Sequence, residues 1–205
     1  IICFFNGIPL AVVELKSPVD DKVDIWDAYH QLQTYKDEIR DLFISNEALI
    51  VSDGYLARVG SLTATEERFM PWKAISNEND KPLLEWQLET MVRGFFNREL
   101  LLDYIRYFVL FENNDERLIK KIAGYHREAV QATIVASTGK QLVLHSNIQP
   151  GSKKAGVVWH TQGSGKSISM CCYVSKLLQQ PEMGNPTIVV VTDRNDLDGQ
   201  LYGTF

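Results

Sequence analysis

Cysteine is scarce: Cys3, Cys171 and Cys172 are the three among 205 residues. No C-x-x-C spacing occurs, so the chain encodes neither a cysteine-built zinc site nor a disulfide framework; buried free thiols are expected. His30, His126, His145 and His160 are scattered and form no metal-binding spacing. No apolar run approaches the roughly 20 residues of a membrane helix, and no signal peptide is visible. A cytoplasmic protein with no membrane partner is therefore expected. Low-complexity segments and internal repeats are lacking too. Positive charge is not in excess, with 21 basic against 26 acidic side chains and a net charge of −5. That balance leaves nucleic acid open, because electrostatic footprints are local patches. Two further absences matter. Residues 1–13 contain no Asp or Glu, and no Met opens the chain. With its stop at Phe205 shortly after an apolar run, both ends are expected to be cuts through a longer polypeptide.

What is present is ordinary globular material, 45% hydrophobic and 23% charged. Residues 2–5 and 10–13 are apolar runs separated by Asn6-Gly7 and Pro9. Asn-Gly between two such runs predicts a hairpin, because both central residues of a type I′ turn need positive φ. The second strand should end near Lys16. Ile25, Ala28, Leu32, Tyr35, Ile39 and Leu42 recur at helical spacing and predict a helix over 24–43, with Asp24 as N-cap. Strands are expected at 48–51 and 55–59, then a polar connection over 61–82. Helices are expected over 83–112, with Asn97 capping a second one inside it, and over 115–137. Beyond a loop at 138–155, the pattern becomes strand (156–159), Gly-containing loop (160–165), helix (166–179) and buried strand (187–192). That order opens a parallel α/β domain. Trp26, Trp72, Trp86 and Trp159 sit among apolar neighbours and are expected in the core; an aromatic platform for single-stranded DNA is the alternative.

The most specific motif is Thr161-Gln162-Gly163-Ser164-Gly165-Lys166-Ser167. Glycines let backbone wrap closely round phosphate oxygens. A helix N-terminus offers free N–H groups and a favourable dipole. Lys166 can reach the outer phosphates and the Ser167 hydroxyl can ligate Mg²⁺. ATP and Mg²⁺ are the expected cofactors. The general pattern would place Gly at 160, where this chain has His160, a departure that helicase-type loops share. The bland reading, a turn that binds nothing, is hard to reconcile with a strand before and a helix after.

The second motif is Glu14-Leu15-Lys16 on the second strand of the hairpin. Period-2 geometry sends side chains two apart to one face. Restriction-type nucleases use such a pair: the carboxylate holds Mg²⁺, and the lysine positions water and offsets developing charge. The pattern also calls for another acid on the preceding strand; with none in 1–13, it is expected upstream of Ile1. Alone, the triplet is more often a salt-linked surface strand. Gln31 and Tyr35 add weight as i, i+4 neighbours on the following helix, although Tyr35 also fits a purely structural core position.

Taken in order, these stretches resemble the restriction (R) subunit of type I restriction-modification enzymes. The matching segments are NGIPLAVVELK at 6–16, QLQTY at 31–35, SDGYLARVGSLT at 52–63, ERFMPWK at 67–73, VVWHTQGSGKS at 157–167 and VTDRNDLDGQL at 191–201. The resemblance implies an α/β protein. A restriction-endonuclease-like, PD-(D/E)xK mixed sheet with flanking helices would be followed by the start of a RecA-like parallel α/β helicase domain. It implies Glu14, Lys16, Gln31 and Tyr35 at the nuclease site, with Glu14 and Ser167 as metal ligands. Thr161 to Ser167 would hold ATP. Thr192, Asp193 and Arg194 would belong to a motif that contacts DNA or couples it to the nucleotide. An adenine-reading role would fall near Gln131. The implied activity is ATP-driven translocation of double-stranded DNA with metal-dependent cleavage, in complex with methyltransferase (modification) and specificity subunits. Residues 1–112 are assigned to the nuclease domain, 113–150 to a helical connection and 151–205 to the ATPase domain. Two other readings stay open: a DNA-docking or assembly module with a vestigial site, and a translocase without nuclease activity. These 205 residues alone are expected to be inactive.

Overall fold

The computed structural model describes residues 1–19, 23–73, 75–76, 86–114, 117–122, 130, 134, 156–159, 161 and 164–192. The chain forms two units, Ile1–Ile122 and Ala123–Phe205.

The first unit is built on a four-stranded mixed sheet in the order β1-β2-β3-β4. Strands β1 (Ile2–Phe5) and β2 (Ile8–Leu15) form the expected hairpin. Asn6 and Gly7 take φ of 51° and 82°, the left-handed pair that a type I′ turn needs. β2 then pairs in parallel with β3 (Ala48–Ser52), which requires a crossover. Helix α1 (Ile25–Glu38) supplies it. β4 (Ala57–Gly60) returns antiparallel to β3 and is extended by a bridge between Val59 and Met70.

α1 starts where its sequence dictates. Asp24 Oδ1 accepts from the N–H groups of Trp26 (2.8 Å) and Asp27 (3.1 Å), and Asp27 Oδ2 accepts from Asp24 N–H at 2.8 Å. This reciprocal capping box satisfies donors that the first turn leaves free. Its apolar stripe, Ile25, Ala28 and Leu32, packs with Val12, Leu49 and Val51 of the sheet and with Phe43 and Phe69. The helix is shorter than its periodicity predicts. Ile39 leaves helical geometry (φ −129°, ψ 56°), and Arg40–Phe43 continues as a 3₁₀ turn. The tighter turn carries Phe43 into the core, an anchor that outweighs continued α-helix. Gly60 is obligatory for a related reason: a Cβ there would lie 2.5–2.7 Å from the Phe69 ring. Leu32 is fully buried in this cluster. Leu32→Ala should therefore destabilise the first unit by about 2–5 kcal/mol. A urea midpoint unchanged from wild type would show that this stripe is not the core.

Beyond the sheet, helix α2 (Gln87–Thr90) runs into a π turn at Met91–Phe95. Helix α3 (Arg98–Tyr107) follows, with Asn97 Oδ1 accepting from Glu99 N–H at 3.0 Å, as the sequence predicts. Phe95 anchors this region, packing edge-to-face on Trp72, Phe96 and Tyr104. Of the helices expected over 83–112 and 115–137, residues 83–85, 115–116 and most of 123–137 lie outside the described residues, and the described part up to Ile122 is helical only as far as Tyr107 before the chain turns to strand. β5 (Val109–Asn114) and β6 (Arg117–Ile122) form an antiparallel hairpin instead. Cross-strand pairing outweighs the helical spacing of Leu118, Ile119 and Ile122. This hairpin crosses position 112.

In the second unit, helix α4 (Lys166–Leu178) lies where the sequence predicts it, followed by a 3₁₀ turn at Pro181–Met183. Among the described residues, 156–159 and 187–192 are not in the strands the sequence predicts and have no ladder partner. Val157, Trp159 and Val191 are about nine-tenths exposed, at 92%, 90% and 87%. Apolar β-branched runs encode burial on a sheet, but a strand exists only when a neighbour supplies the other half of its ladder. The parallel sheet expected for this unit is therefore not formed among the described residues.

Candidate functional site

The mixed sheet positions the first group. Glu14 follows Val12 by two residues on β2, so it lies on the face that α1 covers. Lys16 falls just past the strand's end, but its N–H donates to Ser52 O at 2.8 Å, which holds it in ladder register with β3. Both side chains thus share a face, and Lys16 Nζ stands 3.5 Å from a Glu14 carboxylate oxygen. They keep 22% and 18% of their side-chain surface exposed, enough for a substrate to reach them.

Gln31 and Tyr35 lie one turn apart on α1. Tyr35 packs against the core cluster, and Gln31 is half-buried. Among the described residues neither hydrogen-bonds to Glu14 or Lys16, so the helix brings them to the same layer without joining them to the pair. The described residues contain no cluster of three metal-ligating side chains. Glu14 alone suits the mode in which Mg²⁺ keeps several waters and takes one or two carboxylates plus a substrate phosphate.

Sequence reasoning overlooked what surrounds this pair. Ser52, at the end of β3, donates its hydroxyl to Leu56 O (2.7 Å) and accepts from Gly54 N–H (2.9 Å), tying down the turn into β4. Ser52-Asp53-Gly54 reads as a strand end in the sequence, but the hydrogen bonds of the Ser52 hydroxyl do not follow from that pattern. Arg58 Nη1 donates to Gln87 Oε1 and to Ala57 O, and Gln87 Oε1 also accepts from Ala57 N–H. No sequence pattern links residues about 30 apart. Lys36, beside Tyr35, donates Nζ to Leu62 O at 2.9 Å, and burial pushes its amine below the usual lysine range.

The second group is the loop before α4. Gly165 takes φ 82°, a left-handed conformation that suits glycine, and α4 starts at the next residue. Lys166 Nζ curls back onto Thr161 O at 2.8 Å, across the loop. Ser164 Oγ is buried with no hydrogen-bond partner among the described residues, a polar atom open to a ligand beside a helix N-terminus. These features fit a nucleotide phosphate, with the Ser167 hydroxyl one residue further along the first turn. Gln162 and Gly163 lie outside the described residues, as do His160 and Gln131. Thr192 is described and half-buried, while Asp193 and Arg194 also lie outside. Cys172, buried on α4, has its thiol pushed up to about 12 by burial, so it stays protonated and inert.

Residues 1–68 match the family described as type I restriction enzyme R protein N terminus, and residues 127–205 match SWI2/SNF2 ATPase. The chain therefore joins an R-protein N-terminal segment to an ATPase segment of helicase-like class. Over its whole length it is 53% identical to the type I restriction enzyme HindI endonuclease subunit of Haemophilus influenzae, covering 19% of that protein. It is 31% identical, again over its whole length, to a provisionally named type I restriction enzyme MjaIXP endonuclease subunit of Methanocaldococcus jannaschii, covering 20% of it. The chain belongs to the type I restriction enzyme R-subunit family, and it spans about one fifth of the length of these relatives. Among the described residues, no helix is long and apolar enough to cross a membrane.

Proposed function

We propose that this chain is part of a cytoplasmic type I restriction endonuclease subunit that translocates double-stranded DNA by ATP hydrolysis and cleaves it. Residues 1–112, within the first unit, are read as a PD-(D/E)xK nuclease domain. Residues 113–150 are read as a connection, and 151–205 as the start of a RecA-like motor. The observation that carries the nuclease reading is the Glu14–Lys16 pair, 3.5 Å apart on one face of a central strand. The ATPase reading rests on Gly165, the unpartnered Ser164 hydroxyl and Lys166 at the start of α4. The proposed partners are double-stranded DNA and the methyltransferase and specificity subunits of the restriction complex.

Within this reading, the Glu14 carboxylate would hold Mg²⁺. A bound Mg²⁺ polarises the scissile phosphodiester and acidifies water. Lys16 keeps its ammonium beside the carboxylate, where it orients the attacking water and offsets the charge that grows on the phosphate. Gln31 and Tyr35 support the site from α1. Lys166 would turn from the Thr161 carbonyl to the outer phosphates of ATP, Ser164 and Gly165 would help hold those phosphates, and Ser167 would ligate the accompanying Mg²⁺. Thr192, Asp193 and Arg194 couple this site to DNA.

The test is Glu14→Gln in the full-length subunit assembled with those partners. Cleavage of unmethylated circular DNA should fall by about 10²-fold or more while ATP turnover stays near wild type. Cutting at the wild-type rate would leave the first unit as a docking module or as part of a translocase without nuclease activity.

A further inference from the structure

The core expectation for the tryptophans fails at Trp86, and that failure is informative. Trp86 is 44% exposed and meets Tyr55, itself 56% exposed, edge-to-face at 5.6 Å. Two large rings are left on the surface as a pair. Their position is set by the same backbone that carries the acid–lysine pair. Lys16 N–H bonds Ser52 O, and the Ser52 hydroxyl bonds Leu56 O, so Tyr55 rides on a turn braced against the end of β2. Asp53 Oδ1 accepts from Leu56 N–H at 2.7 Å and stiffens that turn further. Trp86 is held from the other side, since Gln87 N–H donates to Tyr55 O at 2.9 Å. Gln87 Oε1 in turn anchors Arg58, whose guanidinium has five N–H donors and engages only Nη1 among the described residues.

A braced turn therefore presents two exposed rings and a guanidinium on the same sheet that carries the Glu14–Lys16 pair, with Arg58 and Glu14 both in register with Val51. Every base has a π-face, so exposed rings bind unpaired bases with little regard to sequence. A paired duplex hides those faces in its stack, whereas an unpaired strand offers them. The cation complements the phosphate next to such a base.

We propose that Tyr55 and Trp86 form a stacking subsite for an unpaired DNA base adjoining the Glu14–Lys16 site, with Arg58 taking the flanking phosphate. This rests on the nuclease reading above for its purpose, though not for its geometry. The test uses the full-length subunit in EDTA, so that nothing is cut, and reads the fluorescence of a single-stranded oligonucleotide containing 2-aminopurine. Wild type should quench the probe. Tyr55→Leu/Trp86→Leu should lose the quenching and bind about tenfold more weakly. Tyr55→Phe/Trp86→Phe should keep both, and duplex affinity should be the same for all three. The proposal is overturned if the leucine variant quenches as wild type does, or if the phenylalanine variant fails as badly as the leucine one. It is also overturned if wild type does not quench, as when another part of the subunit covers the rings. Because binding and not cutting is read, a Glu14→Gln subunit that still cleaves would sink the nuclease reading and leave this result standing.

Discussion

Lys166→Ala in the full-length subunit, assembled with methyltransferase and specificity subunits, should cost about 10²-fold or more in ATP turnover. DNA cleavage should disappear with it. The expectation follows from the geometry of the loop. Lys166 is the first residue of α4, where free N–H groups and the helix dipole already favour an anion. Its ammonium reaches Thr161 O at 2.8 Å, at the other end of the glycine-containing motif. Alanine removes that charge while leaving the Gly165 turn and the helix intact, so the loss should be one of function and not of folding. Turnover within about twofold of wild type, measured by phosphate release on unmethylated circular DNA, would remove the loop from the motor.

Lys16→Ala should separate the two activities. Cleavage of the same DNA should fall by about 10²- to 10³-fold, with ATP turnover retained. The reason lies in the fold: Lys16 is held by its own backbone bond to Ser52 O, so truncating the side chain should not disturb the ladder. What is lost is the cation 3.5 Å from Glu14. Lys16→Arg should not restore activity, because a planar fork does not replace a compact ammonium at a water-positioning site. Unimpaired cutting by Lys16→Ala would move the nuclease chemistry away from this strand. Loss of ATP turnover in Lys16→Ala would mean that this residue acts on the motor and not on the phosphodiester.

The elements that were legible in the sequence are those whose cause is local. Asn6-Gly7 dictates a left-handed turn, and the hairpin follows. Asp24 and Asp27 cap each other, and Ile25, Ala28 and Leu32 give α1 its buried stripe. Asn97 caps α3, and the glycine-lysine run opens α4. The Glu14–Lys16 pair was legible for the same reason, since period-2 geometry places both on one face whatever the rest of the chain does.

Other features needed the third dimension. α1 ends at Glu38 because Phe43 has a core to reach, and that core is assembled from β2, β3 and Phe69. The 109–122 hairpin arises from pairing between two segments that each carry acceptable helical spacing. The apolar runs at 156–159 and 187–192 encode burial but not a partner, and among the described residues no ladder joins them. Tyr55, Arg58, Trp86 and Gln87 are brought together only by the fold. Their meeting depends on where β4 turns and where α2 begins. The sequence by itself determined the chemistry carried by short motifs and the caps and turns around them, because those interactions span only a few residues. Only the tertiary structure decided which strands pair, where helices stop and which aromatic rings stay exposed, because those outcomes depend on contacts between segments far apart in the chain.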